Sequence, residues 1–365
     1  MAGQIPIFVN ARFLTEPITG IQRWSREVLS AMDQLIEDGV IDGERYSFTL
    51  LSPTLPTDLP SYRHLKLKVK GLMRSHLWEQ IELPFLAKGF LLNFKNTAPV
   101  FKSNMSMQIH DLQTFAHKET HSSIFNFLYK VIVPRAARKA KIVQCPSSYT
   151  ALEAEKYLKV PSEKWVITQG GHEHVLRFNS DDSIARQHSL AKGSYLLAVS
   201  SLNPNKNFAA ILRAMKIAGV EAKLVIAGGT NPLIFRNQDL DILSDKALYV
   251  GRVSDDQLRH LYENALGFVY PSFYEGWGLP PGEAMLLGCP VISSNTSSLP
   301  QVCGDAVLYC DPADDNSIAE QITKLCGDPL LREKLAVDGL AQSKKFTWRQ
   351  VALNVWQPIE KACRE

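Results

Sequence analysis

The chain has 365 residues, of which 45% are hydrophobic and 21% charged, and its formal net charge is +3. This composition excludes a fibrous or disordered chain. At about 100 to 200 residues per domain, the length predicts two domains, each able to bury its own core. The modest charge, without a basic stripe interleaved with aromatic residues, argues against nucleic acid as a partner.

The sequence also argues against a membrane span and against a disulfide framework. Its apolar runs fall short of the roughly 20 residues that a span needs, and residues 1–11 lack the charged and apolar regions of a leader. The six cysteines form no C-x-x-C pair, and several lie in apolar segments where reduced thiols pack well. We therefore expect a cytoplasmic protein.

The first half alternates predicted strands and helices. An amphipathic helix is predicted at 21–36, after a turn at 17–20, and strands are predicted at 5–11, 46–52, 65–70, 105–110 and 141–145. This is a Rossmann-like beginning without the G-x-G-x-x-G fingerprint.

The strand at 65–70 has apolar residues at 65, 67 and 69 and lysines at 66, 68 and 70. Such alternation is typical of one buried and one wet face. A second interpretation is contact with an anionic membrane, where these lysines, Arg63 and Arg74 would contribute about 1 kcal/mol each.

The alternation restarts after Asn179. Helices are predicted at 208–218 and 255–265, and a short helix is predicted from a first turn at Pro280 and Pro281 through 284–287. Strands are predicted at 195–200, 222–227, 247–251, 266–271 and 290–293. Ser254 and Gln257 have capping-box spacing at the start of the helix 255–265. The polar segment 172–194 predicts a linker, and the segment 348–364 predicts a last helix kinked at Pro358. The fold class is therefore α/β, with two Rossmann-like doubly wound domains.

Two glutamates stand on either side of a glycine-rich turn. Glu275 follows the predicted strand 266–271 on a loop, and Glu283 lies in the first turn of the next helix. In a parallel strand–helix–strand unit, ligands collect at this carboxyl edge. A carboxylate in a first turn is favourable without any ligand, but Gly276 and Gly278 free the backbone to approach one closely.

Three further residues have two interpretations each. Lys206 lies at the predicted start of the helix 208–218, where its positive charge interacts unfavourably with the helix dipole. This placement costs roughly 0.3 to 1 kcal/mol unless an anion lies between the lysine and the helix end. Lys206 is therefore either a phosphate-binding lysine or a surface lysine. His110 ends a predicted strand at the carboxyl edge of the first domain. It is either a hydrogen-bonded turn residue or a group that faces a cleft between the domains. Gly20 marks a plain helix start or a close approach to a ligand.

Other patterns carry less weight. Asp239-Leu240-Asp241 matches the D-x-D metal pattern but does not follow an apolar strand, and His172-Glu173-His174 lacks the second cluster of a zinc site. A G-x-S-x-G elbow, which a serine hydrolase would show, is missing. We expect neither a metal site nor a hydrolase.

Taken in order, these motifs resemble the retaining glycosyltransferases of family 4, which have the GT-B fold. The resemblance spans nearly the whole chain and rests on the Glu275-x7-Glu283 spacing, Asn-Pro-Asn-Lys-Asn at 203–207, Val-Gly-Arg-Val-Ser-Asp at 250–255, and the segments 10–13, 19–23, 109–111, 299–306 and 311–312. It implies a nucleotide-sugar donor held by a domain at 179–346, an acceptor-side domain at 1–178, and a last segment at 347–365 that crosses back to the first domain.

The resemblance also implies a role for each motif. Glu283 would bind the ribose, Glu275 would face the donor sugar, Lys206 the diphosphate and His110 the transferred sugar. Backbone groups would complete the donor site: those of Gly276, Trp277, Gly278 and Leu279 at the sugar or phosphate, those of Val250, Arg252 and Val253 at the base, and that of Gly20 at the diphosphate. Two departures stand out. Asn205 replaces a common arginine, and Gly-Gly-His-Glu at 170–173 replaces Asn-Gly-x-Asp, so we assign that segment no role.

The implied activity is metal-independent retaining transfer of a hexose, with GDP-mannose as the expected donor and a saccharide or lipid-linked saccharide as acceptor in surface polysaccharide synthesis. The implied location is the cytoplasm, at the inner face of the membrane. Two alternatives stay open: a catalytically silent GT-B scaffold in a glycan-assembly complex, and a nucleotide-sugar epimerase of the same architecture.

Overall fold

A computed structural model of the chain describes residues 3–116, 123–199, 203–229 and 246–364. The chain divides into two compact units. Unit 1 comprises Met1–Gly171 together with Trp348–Glu365, and unit 2 comprises His172–Thr347. Each unit contains a parallel sheet flanked by helices, which confirms the predicted fold class.

Unit 1 contains a seven-stranded sheet in the order β3-β2-β1-β4-β5-β6-β7, and its described strand pairs are parallel. The strands are β1 (Ile5–Asn10), β2 (Tyr46–Ser52), β3 (Leu65–Val69), β4 (Phe90–Asn93), β5 (Met105–Gln108), β6 (Ile142–Cys145) and β7 (Trp165–Ile167). β4 and β7 were not predicted, because a short apolar run alone cannot be distinguished from part of a buried helix.

The longer helices of unit 1 are α1 (Gly20–Glu37), α5 (Ser123–Lys139) and α6 (Ser148–Leu158). Shorter turns are the 3-10 helix Ala11–Thr15, α4 (Gln113–Ala116) and the 3-10 helix Ser162–Lys164. A composite helical segment consists of α2 (Ser75–Leu77), a π-helix (Trp78–Glu82) and α3 (Leu83–Leu86).

Among its described residues, unit 2 contains a parallel sheet of six strands in the order β10-β9-β8-β11-β12-β13. The strands are β8 (Tyr195–Val199), β9 (Lys223–Ala227), β10 (Ala247–Gly251), β11 (Gly267–Tyr270), β12 (Val291–Ser294) and β13 (Leu308–Cys310). The helices are α7 (Ser183–Gln187), α8 (Phe208–Ala218), α9 (Asp255–Asn264), α10 (Leu279–Leu286), α11 (Leu299–Cys303), α12 (Asp315–Gly327) and α13 (Pro329–Ser343), and the 3-10 helices are Glu173–Arg177 and Pro204–Lys206.

The strand order sets where a ligand is expected. In unit 2 the chain runs outward from β8 to β10 and then returns to β11 on the other side of β8. Ligands of open α/β sheets bind outside the carboxyl ends of the strands at such a switch point. The corresponding point in unit 1 lies between β1 and β4.

The predicted linker at 172–194 is wrong. This segment begins unit 2 and contains the 3-10 helix Glu173–Arg177 and α7. The side chains of His172 and His174 are 0% and 2% exposed, and both make hydrogen bonds within unit 2. The observed division at 171/172 accordingly falls before the boundary predicted at 178/179.

The last helix, α14 (Trp348–Arg364), belongs to unit 1 and continues through Pro358. Its stripe of Val351, Val355 and Ile359 is buried. The Trp356 ring lies 4.9 Å from the ring of Tyr46 on β2, so the stripe covers the sheet of unit 1. The six cysteines are free, and none of the helices in the described ranges has the length and apolarity needed to cross a bilayer.

Candidate active site

Lys206 lies just outside the helix where it was predicted. It ends the 3-10 helix Pro204–Lys206, and α8 begins two residues later at Phe208. Asn207 separates the two helices in the left-handed conformation, with φ of 57°, which asparagine tolerates better than most residues. The ammonium is therefore not in the first turn of α8, and the dipole cost predicted for it does not apply directly.

Lys206 is paired with Glu275. Its Nζ lies 2.5 Å from Glu275 Oε1 and 3.0 Å from the hydroxyl of Tyr270, the last residue of β11. The side chains of Lys206 and Glu275 are 17% and 12% exposed. Tyr270 and Glu275 take two of the three donors of the ammonium. The Glu275 carboxylate is thus one anion that lies beside Lys206, where the sequence had led us to expect a phosphate.

Two loops hold this pair at the switch point. Asn205 O accepts hydrogen bonds from Phe273 N at 2.9 Å and from the Ser272 hydroxyl at 3.1 Å, which joins the loop after β8 to the loop after β11. Because β8 and β11 are neighbours in the sheet, these loops meet at one edge. Lys206 and Glu275 are 69 positions apart in the sequence and in direct contact in the fold.

The loop that carries Glu275 is fixed by residues that follow β12. Glu275 N donates to the Ser297 hydroxyl at 3.1 Å, and the Ser298 hydroxyl lies 3.1 Å from Glu275 O and 2.6 Å from Trp277 O. Gly278 has φ of +120°, and a Cβ there would lie 2.7 Å from Leu299 Cδ2. The backbone of 276–279 is thus held rigidly, with a glycine required at 278.

Glu283 belongs to a second, more buried cluster. It lies on α10 and is 8% exposed. Its Oε1 lies 3.1 Å from His174 Nε2, and its Oε2 accepts a hydrogen bond from the Tyr262 hydroxyl at 3.3 Å. Burial, followed by the charge of Glu283, raises the pKa of Tyr262 well above its usual value, so this phenol remains a donor. Glu283 is thus oriented by the segment 173–177 and by α9.

His172 holds the start of α10. Trp277 Nε1 donates to His172 Nε2 at 3.3 Å, so the ring proton lies on Nδ1, which donates to the Ser343 hydroxyl at 2.9 Å. That hydroxyl donates to Gly282 O at 2.8 Å. Burial lowers the pKa of His172 to about 4, so the ring is neutral at pH 7. The chain of bonds connects the Glu275 loop, α10 and α13.

Sequence reasoning missed this histidine pair. It assigned residues 170–173 no role and treated 172–174 only as an unsupported zinc motif. The structure gives both imidazoles partners inside unit 2, and the described residues contain no cluster of three or more His, Cys, Asp or Glu placed for a metal. The D-x-D motif at 239–241 lies outside the described residues.

The predicted base-binding backbone lies farther along the same edge. Val250 and Gly251 end β10, and Arg252 and Val253 follow it. Gly251 has φ of +73°, and its carbonyl accepts a hydrogen bond from Gly228 N at 2.8 Å. β9 separates β10 from β8, so these residues are not in the Lys206 cluster.

His110 lies in unit 1 and is 8% exposed. Its Nε2 lies 2.8 Å from Phe94 O, which can only accept, so Nε2 carries the proton and Nδ1 is the acceptor. The ring meets the Trp24 ring edge-on at 5.1 Å. Burial lowers the pKa of His110 to about 4, and the neutral ring can accept a hydrogen bond from a sugar hydroxyl.

Gly20, the other predicted site residue of unit 1, begins α1. A Cβ added there would find open space within 4 Å among the described atoms. Packing inside unit 1 therefore does not require glycine at this position.

The comparisons with known proteins agree with this architecture. Over nearly its whole length the chain has the fold of sucrose-phosphate synthase from Thermosynechococcus elongatus, with a TM-score of 0.76, 17% identity, and 98% and 99% of the two chains covered. It is also similar to the lipopolysaccharide glycosyltransferase WaaG, with a TM-score of 0.72, 14% identity, and 97% and 99% covered. These likenesses concern the fold alone, and the fold that they define is GT-B, with two Rossmann-like domains.

The sequence comparisons carry the assignment further. Residues 180–339 match the model of the family described as glycosyl transferases group 1. O-antigen chain mannosyltransferase B of Escherichia coli is 31% identical over 255 residues, which are 66% of this chain and 65% of that protein. O-antigen chain mannosyltransferase RfbU of Salmonella typhimurium is 26% identical over 326 residues, 85% of this chain and 88% of that protein. The second unit therefore carries a domain of the glycosyl transferases group 1 family, in a chain that has the GT-B fold.

Proposed function

We propose that the protein transfers mannose from GDP-mannose to a saccharide or lipid-linked saccharide acceptor during synthesis of a surface polysaccharide. Two curated relatives are named O-antigen chain mannosyltransferases, which supports the sugar and the process. The proposal assigns the donor to unit 2 and the acceptor side to unit 1. It places the protein in the cytoplasm, at the inner face of the membrane.

One observation carries the proposal: Lys206, Tyr270 and Glu275 converge at the switch point of the group 1 domain. A diphosphate is the chemistry that an ammonium in this position would bind, and Glu275 would then be released toward the hydroxyls of the donor sugar. At about 4 Å and an effective dielectric near 20, one such ion pair is worth roughly 4 kcal/mol. Glu283, oriented by His174 and Tyr262, would accept from the ribose hydroxyls.

The proposed reaction retains the anomeric configuration without a divalent metal. The bond from the anomeric carbon to the diphosphate oxygen breaks while the acceptor oxygen attacks the same face. The departing diphosphate takes the acceptor proton, so that the charges balance. Lys206 and the backbone N–H groups of 276–279 would stabilise the charge that grows on the leaving group, which is usually the largest single contribution in such reactions.

The test begins with a thermal-shift screen across GDP-, UDP-, dTDP- and ADP-sugars, in which a donor at 100 times its Kd stabilises by about 2.7 kcal/mol. Release of nucleoside diphosphate is then measured with and without a soluble mannose-terminated oligosaccharide, in EDTA, and the anomer formed is identified by NMR. We expect GDP-mannose to stabilise, GDP release to require the acceptor, and the product to be the α-anomer.

Other outcomes overturn specific parts of the proposal. GDP release without acceptor would indicate an epimerase, and stabilisation by none of the four donors would favour a silent scaffold. Loss of turnover in EDTA would contradict metal independence, and a β-anomer would contradict retention.

A further inference from the structure

An ion pair lies at the switch point of unit 1. Lys95 Nζ lies 2.6 Å from both carboxylate oxygens of Glu16. Glu16 follows β1 after the 3-10 helix Ala11–Thr15, and Lys95 is the second residue after β4. Because β1 and β4 are neighbours in the sheet, the pair joins two loops at one carboxyl edge. Its place in unit 1 corresponds to that of Lys206 and Glu275 in unit 2.

Neighbouring side chains orient the pair without closing it off from solvent. Gln22, in the first turn of α1, donates from Nε2 to Glu16 Oε2 at 2.7 Å. Arg12 lies 3.7 Å from Glu16 Oε1 and is itself bound to the buried Glu79 at 3.2 Å. The side chains of Lys95 and Glu16 are 18% and 27% exposed. Both charges are therefore within reach of a solute.

Lys95 lies beside His110, for which the resemblance implies contact with the transferred sugar. The residues before and after Lys95 both bind this histidine. Phe94 O accepts from His110 Nε2 at 2.8 Å, and Asn96 Oδ1 accepts from His110 N at 2.6 Å. Burial, and to a smaller extent the charge of Lys95, lower the pKa of His110, so this charge acts on the ring. The ends of β1, β4 and β5 thus bring Glu16, Lys95 and His110 to one edge.

A carboxylate beside an ammonium matches two neighbouring hydroxyl groups of a sugar. The carboxylate only accepts hydrogen bonds and the ammonium only donates them, whereas a hydroxyl does both. Among the described residues, the hydrogen bonds of Lys95 Nζ go only to Glu16, so at least one of the three donors of the ammonium is open. The pair therefore has the chemistry of a saccharide site.

We propose that Glu16 and Lys95 select the acceptor by binding two neighbouring hydroxyl groups of its terminal sugar. The acceptor oxygen becomes bonded to the transferred sugar, so the acceptor lies beside the residue that contacts this sugar, for which His110 is the candidate in unit 1. Glu16 accepts from one hydroxyl and Lys95 donates to the next, each giving up part of its contact with the other. An acceptor that lacks one of these hydroxyls covers a charged group without pairing with it, so it binds more weakly. The inference rests on the proposed function, in which unit 1 holds the acceptor.

The experiment is a binding titration, followed by NMR saturation transfer, of the purified chain with soluble disaccharides that end in mannose, galactose or N-acetylglucosamine. We expect the mannose-terminated disaccharide to bind most tightly, and the variants are compared on the disaccharide that binds. Glu16→Ala and Lys95→Met should each bind it at least about tenfold more weakly, a typical loss for one charged hydrogen bond. If the unaltered chain binds none of these disaccharides, or if the variants bind equally well, the inference is overturned.

Failure of this inference and failure of the proposed function give different results. A chain that binds a disaccharide through the pair, but releases no nucleoside diphosphate from GDP-mannose, contradicts the proposed donor and leaves the saccharide site standing. A chain that transfers mannose from GDP-mannose, with the same acceptor KM in both variants as in the unaltered chain, contradicts the saccharide site alone.

Monodeoxy forms of the bound disaccharide separate direct contact from a purely structural role. Each form lacks one ring hydroxyl of the terminal sugar. The unaltered chain should bind one of them at least about tenfold more weakly than the parent disaccharide. In Glu16→Ala the same form should bind like the parent, because the contact is already lost, which is the logic of a double-mutant cycle. Equal ratios in both chains for every monodeoxy form overturn the inference.

A chain with the reversed pair, Glu16→Lys with Lys95→Glu, tests whether the pair only joins two loops. It keeps a bridge between the loops but exchanges the positions of donor and acceptor. It should bind the disaccharide as weakly as the single variants. Binding at the level of the unaltered chain would show that the bridge alone matters, and the inference would fail.

The matched control is Asp315→Asn, which breaks the ion pair of Asp315 with Arg213 in unit 2. The Asp315 side chain is 29% exposed, close to the 27% of Glu16. This chain should bind the disaccharide normally. GDP affinity, measured by calorimetry, should be the same in all of these chains. A parallel loss of GDP affinity in the Glu16 and Lys95 variants would assign their effect to the fold and overturn the inference.

Discussion

Glu275 and Glu283 belong to one strand–loop–helix unit, yet the fold surrounds them differently. Glu275 is on a loop and is paired with the ammonium of Lys206 at 2.5 Å. Glu283 is on α10, held by an imidazole and a phenol that reach it from two other elements. The first carboxylate has a cationic partner at the switch point, and the second is fixed in place by buried hydrogen-bond donors.

This difference separates two kinds of contribution to a donor site. A ligand at the Lys206–Glu275 pair must exchange one ionic partner for another, so variants there should change the rate of the reaction. A ligand at Glu283 meets a carboxylate that is already oriented, so variants there should change affinity. Variants of the residues that contact His172 should mainly lower the free energy of unfolding of unit 2.

Lys206→Ala should have the largest effect on turnover. Removing one preorganised donor from a developing oxyanion typically lowers kcat by about 10² to 10³. The expected loss follows if Lys206 binds the leaving diphosphate, and it is measured as release of nucleoside diphosphate under saturating donor and acceptor.

The matched control for that variant is Lys216→Ala, an exposed lysine in the last turn of α8. It should turn over at the normal rate. Because Lys206→Ala leaves Glu275 without its cation, the double variant Lys206→Ala with Glu275→Gln tests whether an unpaired carboxylate destabilises unit 2. A near-normal kcat in Lys206→Ala would contradict the expectation that the Lys206–Glu275 pair acts on the rate while Glu283 acts on affinity.

The second prediction concerns the pH dependence of stability around His172. Its pKa falls from 6.5 to about 4 on burial, so between these values the unfolded chain binds the proton and the folded chain does not. Stability is therefore complete above about pH 6.5 and is lost as the pH falls toward 4, by about 2 kcal/mol between pH 7 and pH 5.

Urea unfolding of the unaltered chain and of His172→Gln at the two pH values isolates this contribution. The variant should lose less stability on acidification than the unaltered chain, whatever its stability at pH 7. His188→Gln, at a half-buried position of unit 2, serves as the control and should keep the original pH dependence. Equal slopes in His172→Gln and the unaltered chain would show that this ring is not held neutral.

The third prediction uses the contact between α10 and His172. A Cβ at Gly282 would lie 2.1 Å from His172 Nε2, so Gly282→Ala must displace the imidazole or the first turn of α10. Overpacking of this kind costs about 1 to 3 kcal/mol in unfolding free energy. The measurement is urea unfolding at pH 7.

Gly327→Ala is the matched control, because a Cβ at this last residue of α12 meets nothing within 4 Å among the described atoms. It should leave stability unchanged or raise it slightly. If both alanine variants unfold alike, the close packing of His172 against Gly282 is contradicted.

Much of the fold was predictable from local pattern. The bounds predicted for α8 and α14 match the structure, and Ser254 and Gln257 form the predicted capping box of α9. These features depend on residues that are close together in the sequence, so periodicity and capping motifs predict them. β4, β7 and β13 were missed, because a short apolar run alone cannot be distinguished from part of a buried helix.

The site was predictable only in part. The sequence placed Glu275 and Lys206 each at a carboxyl edge, but their contact depends on β8 lying beside β11, which is a property of the sheet order. The partners of the histidine pair are more remote: Glu283 is 109 positions from His174, and Ser343 is 171 positions from His172. A polar segment without a period resembles a linker until those partners are known.

The smallest expected effect is that of Glu283→Gln, and it tests the comparison most closely. The amide keeps an oxygen for Tyr262 or His174, so the change in unfolding free energy should stay below the roughly 1 to 3 kcal/mol expected for Glu283→Ala, which removes the carboxylate that both groups contact. The lost negative charge should weaken binding of nucleoside diphosphate by about tenfold, a typical loss for one charged hydrogen bond. Titration calorimetry with GDP measures this affinity, and kcat at saturating donor should change less than in Lys206→Ala. Unchanged GDP affinity would mean that Glu283 serves only to join α10 to His174 and Tyr262, and the ribose role would pass to another group.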